Sequence, residues 1–139
     1  MSEPKDIFID LLKKDNCRIT QARIAVFEQL SLAKPLSMHE LVTQTGEADR
    51  ASIYRTVELF ERLGIVQRLH IGWKYKIELT DKFAAHHHHL TCVKCGKTVS
   101  INQHDLEHFI DDLATQHNFK PTTHQVELQG YCSDCQKKI

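Results

Sequence analysis

His86-His87-His88-His89-Leu90-Thr91-Cys92-Val93-Lys94-Cys95-Gly96 is the stretch that decides how this chain reads. Four consecutive imidazoles run into a Cys-x-x-Cys pair, and Cys132-Ser133-Asp134-Cys135 repeats the pair further on. A two-residue gap lets both thiolates of a pair reach one ion, and four soft ligands make the closed tetrahedral site that zinc requires. The gaps Val93-Lys94 and Ser133-Asp134 are polar or turn-compatible, with Gly96 just behind the first, as a knuckle around a metal needs. The segment between the pairs has room for a strand, a helix and a returning strand. Two disulfides are the alternative, but they belong to small, Cys-dense secreted chains. Cys92, Cys95, Cys132 and Cys135 are therefore read as ligands of a structural Zn2+.

The histidine run reads as a strand, spanning His86 to Cys92. Side chains alternate faces along a strand, so His86 and His88 point one way and His87 and His89 the other. Each pair is half of a four-ligand site. In the last expected strand, Thr123 to Tyr131, His124 shares a face with Val126 and Leu128. Glu107 lies beside the apolar Leu106 on the helix expected from Gln103 to His117, whose Leu106, Phe109, Ile110 and Leu113 form a helical stripe. His124 and Glu107 could complete a site with one histidine pair; Glu78, Asp81 and His70 are within reach of the other. Mixed imidazole and oxygen donors suit zinc, iron(II), manganese or nickel. The bland alternative is a solvated polar strand edge. His39, His104, His108 and His117 read as surface residues, and Cys17 as a half-buried packing residue.

Upstream the period is helical. Thr20 caps a helix within Ile19 to Leu32, and Ile7, Phe8, Leu11 and Leu12 suggest a weak one before it. Ser37, with Glu40 three residues on, makes a capping box for Met38 to Thr45, ended by Gly46. Asp49 caps Arg50 to Leu63, closed by Gly64. Ile65-Val66 and Tyr75 to Leu79 then read as strands joined by a turn at Ile71 to Lys74. Helices followed by a two-stranded hairpin are the order of a winged helix-turn-helix. The third helix opens with Arg50, Ser52, Tyr54, Arg55 and Thr56, side chains able to reach base edges and phosphates. Lys13, Lys14 and Arg18 could touch the flanking backbone, and the wing adds Lys74 and Lys76. Trp73, on the wing turn, reads as packing. A solvated helix face is the alternative.

Eighteen basic and eighteen acidic residues give zero net charge over 139 residues, so nucleic-acid binding has to come from a local patch. Hydrophobic content of 41% is ordinary for a globular protein. The sequence has no run of membrane-spanning length and no apolar leader, so a cytoplasmic protein without a membrane partner is expected. There is no HExxH and no glycine-rich phosphate loop, which leaves a zinc-dependent hydrolase as a remote reading.

Arg18-Ile19-Thr20-Gln21-Ala22-Arg23, Ala51 to Val57, Glu78-Leu79-Thr80, the run from His86 to Lys97 and Gly130 to Cys135 together resemble, in order and spacing, the ferric uptake regulator (Fur) superfamily. The resemblance implies an α+β chain: a winged helix-turn-helix DNA-binding domain over 1–80, a hinge at 81–85, and an α/β dimerisation domain with a four-cysteine zinc site over 86–139. It implies a homodimer that binds a palindromic double-stranded DNA operator, as a repressor, when a divalent metal is bound: Fe2+, Zn2+ or Mn2+. It carries His86, His88, Glu107 and His124 onto the family's dimerisation-domain metal site. It carries His87, His89 and Glu78 onto the sensing site, with His70 as substitute ligand. Ser100 stands where many members have Asp or Glu, and Pro35 where iron and peroxide sensors often have His. A peroxide-sensing or zinc-uptake subtype is the alternative within the superfamily.

Overall fold

The structure is a computed structural model and describes residues 3–32, 34–46, 49–83 and 86–138. It divides into two compact units, Met1–Ala85 and His86–Ile139.

The first unit runs α1 (Pro4–Lys14), α2 (Gln21–Leu30), α3 (Met38–Thr45), α4 (Arg50–Arg62), β1 (Val66–Ile71) and β2 (Lys74–Leu79). Its helix starts are set by side chains. Thr20 accepts the Arg23 N–H. Ser37 and Glu40 form a full capping box. Asp49 accepts the Ser52 N–H at 2.7 Å. Each cap satisfies an N–H that the helix itself leaves without a partner. Behind them lies one apolar core, with Phe8, Leu12, Val26, Leu41, Ile53, Phe60, Ile65 and Ile77 fully buried. Phe8 stacks on Phe27 with ring centroids 4.2 Å apart and meets the edge of Phe60 at 5.4 Å.

β1 and β2 pair antiparallel from Val66↔Leu79 to Ile71↔Lys74, a longer hairpin than the sequence suggests, and Leu36 adds a bridge to Ile77. After β2, Thr80 ties back to Gly64 and Ile65. Phe83 sets its ring 5.3 Å from Phe27. The described part of the expected hinge, 81–83, is thus a turn anchored to the first unit; Ala84 and Ala85 lie outside the described residues.

The second unit runs β3 (His88–Cys92), β4 (Thr98–Ile101), α5 (His104–Gln116), β5 (Glu127–Gly130) and a single turn, α6 (Ser133–Gln136). The sheet order is β4-β3-β5, with β4 antiparallel and β5 parallel to the central β3. The last strand is shorter than the sequence suggests: His124 precedes β5 rather than standing on it. No residue of α5 is buried, and Phe109 and Leu113 are 65% and 47% exposed. No helix among the described residues is long and apolar enough to cross a membrane.

Candidate metal centres and nucleic-acid face

Strand register builds the thiol quartet. Parallel pairing sets Cys92 beside Gly130, so Cys132 falls two residues beyond the same sheet end. Cys92 ends β3, and Gly96, at φ +79°, lets the chain fold back so that its N–H reaches the Cys92 carbonyl at 2.9 Å. Cys132 is the N-cap of α6 and Cys135 lies within it. The four sulfurs lie within 4.8 Å of one another, and Cys95 and Cys132 are 3.8 Å apart. Zinc bonds of about 2.3 Å in a tetrahedron put sulfurs about 3.8 Å apart, so the quartet fits that ion. All five cysteines are free thiols, which removes the two-disulfide alternative.

The electrostatics of the quartet are divided. Backbone N–H groups, that of Cys95 first and that of Cys132 second, hold the Cys92 thiol down at about 6. The Cys135 N–H lowers Cys132. Burial, joined by the neighbouring sulfurs, pushes Cys135 up to about 12. Close-packed thiols do not all ionise together unless a cation compensates them.

A second cluster forms on one face of the histidine run. His86 Nε2 lies 3.0 Å from His124 Nε2 and 3.5 Å from Glu107 Oε1. His88 Nε2 is 2.5 Å from Glu107 Oε1, and His124 Nε2 is 2.7 Å from Glu107 Oε2. Three elements meet here: the start of β3, the first turn of α5 and the loop before β5. The Val126 N–H donates to His88 Nδ1 at 3.2 Å, which orients the buried ring and aims its Nε2 at the cluster. Burial raises the Glu107 carboxyl, but the His88 hydrogen bond and the nearby His124 and His86 outweigh it and leave it below its ordinary value. Three imidazoles and one carboxylate, with ligand atoms within 4.8 Å of one another, can hold one divalent ion.

The other two rings of the run form a separate pair. His87 and His89 have centroids 4.7 Å apart at 80°, as do His86 and His88 at 89°. Glu127, opposite His89 in the parallel register, sets a carboxylate oxygen 3.7 Å from His89 Nδ1. The sequence reading missed this residue; its alternation with Val126 was the available signal. Ser100 pairs with His89 across β4.

In the first unit, Glu78 pairs with Gln67 and accepts its side-chain N–H at 2.9 Å, whereas His70 pairs with Tyr75. Gln67 and His70 are three residues apart, so strand alternation puts them on opposite faces of the hairpin, about 10 Å apart along it. His70 therefore does not converge with Glu78, and its expected place as substitute sensing ligand is corrected.

On α4, Arg50 and Arg55 are exposed and Ser52 and Tyr54 half-buried. The Arg50 guanidinium lies 5.5 Å from the Tyr54 ring centroid, and Arg55 reaches Ser52 Oγ at 3.4 Å. Thr56 is 4% exposed, because it sits three residues after Ile53 on the core-facing side; the expectation that it contacts DNA is corrected. Lys14, in the last turn of α1, and Arg18 are exposed. Trp73 is 89% exposed, which overturns the expectation that it packs.

Known proteins resemble the chain over most of its length. The model of the Ferric uptake regulator family matches residues 14–129. The Ferric uptake regulation protein of Neisseria meningitidis serogroup A is 30% identical over 133 residues, covering 91% of this chain and 92% of the relative. That of Escherichia coli K12 is 31% identical over 137 residues, covering 91% and 90%. Among solved structures, the Vibrio cholerae ferric uptake regulator superposes with a TM-score of 0.73 at 29% identity, covering 87% of this chain and 96% of that one. The chain belongs to the ferric uptake regulator family of metal-dependent transcription regulators, and is not an enzyme.

Proposed function

We propose that the chain is a cytoplasmic repressor that binds palindromic operators as a homodimer when a divalent metal is bound. In this reading Cys92, Cys95, Cys132 and Cys135 hold structural Zn2+. His86, His88, Glu107 and His124 hold a second ion, Fe2+, Zn2+ or Mn2+. Glu78, His87 and His89 are the sensing ligands. Lys14, Arg18, Arg50, Ser52, Tyr54 and Arg55 face the duplex. The observation that carries the reading is the convergence of three imidazoles and the Glu107 carboxylate beside a separate thiol quartet. A second copy is the natural cover for apolar side chains that the second unit leaves in water, among them Phe109, Leu128 and Val99.

Metal acts here by selecting the DNA-competent conformation, and coupling of about 1–3 kcal/mol is enough to switch occupancy. Gel retardation of duplexes from a random-sequence pool, with each metal and with chelator, tests the reading. Retention that rises with one of the three metals is expected. Equal retention with and without metal would refute metal dependence, and no retention under any metal would refute DNA binding.

A further inference from the structure

Val126, just before β5, and Glu127, its first residue, address two neighbouring rings of the histidine run. The Val126 N–H donates to His88 Nδ1, and the Val126 carbonyl accepts the His89 backbone N–H at 3.4 Å. These bonds hold the parallel register, which sets Glu127 opposite His89, while Ser100 flanks His89 from β4. Side chains in register share a face of the sheet, so His89 has a neutral hydroxyl on one side and a carboxylate on the other. Glu127 Oε1 stands 3.7 Å from His89 Nδ1; the His89 side chain is 5% exposed and that of Glu127 29%. Glu127 is absent from the set of ligand atoms that lie within 4.8 Å of one another and include His87 and His89. It therefore sits beside the ring rather than among the groups that would share an ion.

A histidine that gives one ring nitrogen to an ion keeps its proton on the other, and a buried N–H needs an acceptor. A carboxylate in that place fixes the tautomer, holds the ring's orientation and makes the ligating nitrogen more basic. The present 3.7 Å is longer than a hydrogen bond, and a small rotation of the Glu127 side chain closes it. We propose that Glu127 is a positioning residue of the sensing site: its carboxylate accepts the His89 Nδ1–H when Nε2 holds the ion. This rests on the reading of His87 and His89 as sensing ligands. Glu127 then acts through His89, and the cluster of His86, His88, Glu107 and His124 does not include it.

The test uses the full chain with its thiol quartet zinc-loaded, labelled in its histidine nitrogens and titrated with further Zn2+ against a competing chelator. Zn2+ is the probe because imidazole donors hold it more tightly than Fe2+ or Mn2+. Ring signals in NMR spectra report each histidine separately. His89 is expected to bind through Nε2 and to carry on Nδ1 a proton that exchanges slowly with water. In Glu127→Gln that proton is expected to exchange faster, and zinc affinity at His87 and His89 to fall by about 10–100-fold. Melting, and zinc affinity at His86, His88 and His124, are expected to stay unchanged. Zinc on His89 Nδ1, or full affinity at His87 and His89 in Glu127→Gln, overturns the positioning role and spares the sensing reading. An equal loss at both sites assigns Glu127 to the integrity of β5 and overturns the proposal. Wild-type rings of His87 and His89 that never respond to Zn2+, while those of His86, His88 and His124 do, refute the sensing reading and this role with it.

Discussion

Cys135→Ser should unfold the second unit and leave the first intact. Every buried Leu, Ile, Val, Phe and Met among the described residues belongs to the first unit; the second buries only His88, His89, Thr91, Cys92 and Cys135. Its interior is therefore made largely of metal-binding side chains. Burying a leucine-sized side chain stabilises by about 1.5–3 kcal/mol, and ordering one residue's backbone costs about 1–2 kcal/mol. A unit without a buried aliphatic core of its own cannot offset that cost by apolar burial within one copy. A structural zinc site contributes about 10–16 kcal/mol, as much as the whole stability of an ordinary domain, about 5–15 kcal/mol. Replacing one of four thiolates by a hydroxyl that does not ionise near neutrality removes a large share of it. Hydrogen exchange read peptide by peptide measures both units at once. Amides over 86–138 should exchange freely in the variant and in chelator-stripped wild type, while those of α1, α2 and α4 stay protected. Wild-type protection over 86–138 in the variant, with no bound metal by elemental analysis, would refute the argument.

Other outcomes follow from single side chains. His124→Ala should weaken the second ion by at least about 100-fold in isothermal titration and leave the zinc stoichiometry unchanged, since His124 is not part of the thiol quartet. His70→Ala should leave metal-dependent retention of DNA unaltered, because the ring stands away from Glu78 on the hairpin; a lost metal response would restore it as a ligand. Ser37→Ala should cost about 1 kcal/mol in urea melts, through the α3 capping box. The Glu40 carboxyl is held below its ordinary value, first by the Ser37 backbone N–H. Its contribution is thus present above the unfolded-state value near 4.5 and lost as pH falls through the lower folded value. In Glu40→Gln, the added sensitivity of melting to acid below pH 4.5 should shrink.

The sequence carried the winged unit in its caps. Thr20, Ser37 with Glu40, and Asp49 each start a helix where expected, because a cap is a local interaction between neighbours. The hairpin was under-read: Gln67, Arg68 and His70 on β1 masked its strand pattern, since this ribbon has a wet face. Thr56 was misassigned by its polarity, although Ile53, Thr56, Val57 and Phe60 follow helical spacing and all are buried. In the second unit the motif spacing was legible and the packing was not. The apolar stripe on α5 predicts a covered helix, but its cover is not supplied by this unit, where α5 buries nothing. His124 was expected on a strand and instead reaches the metal cluster from the segment before β5, a loop position that alternation cannot place. α6, a single turn, is too short to leave a period.

The histidine run imposes a constraint of its own. Its rings sort into an odd-numbered pair and an even-numbered pair, a division set by the alternation of extended chain running into β3. Because the four positions are identical, deleting one residue of the run would keep the rings nearest Leu90 in register and cost the cluster of His86, His88, Glu107 and His124 its outermost ring, while leaving the other pair whole. A one-residue loss in the run would therefore strike the two pairs unequally, although their rings are chemically the same.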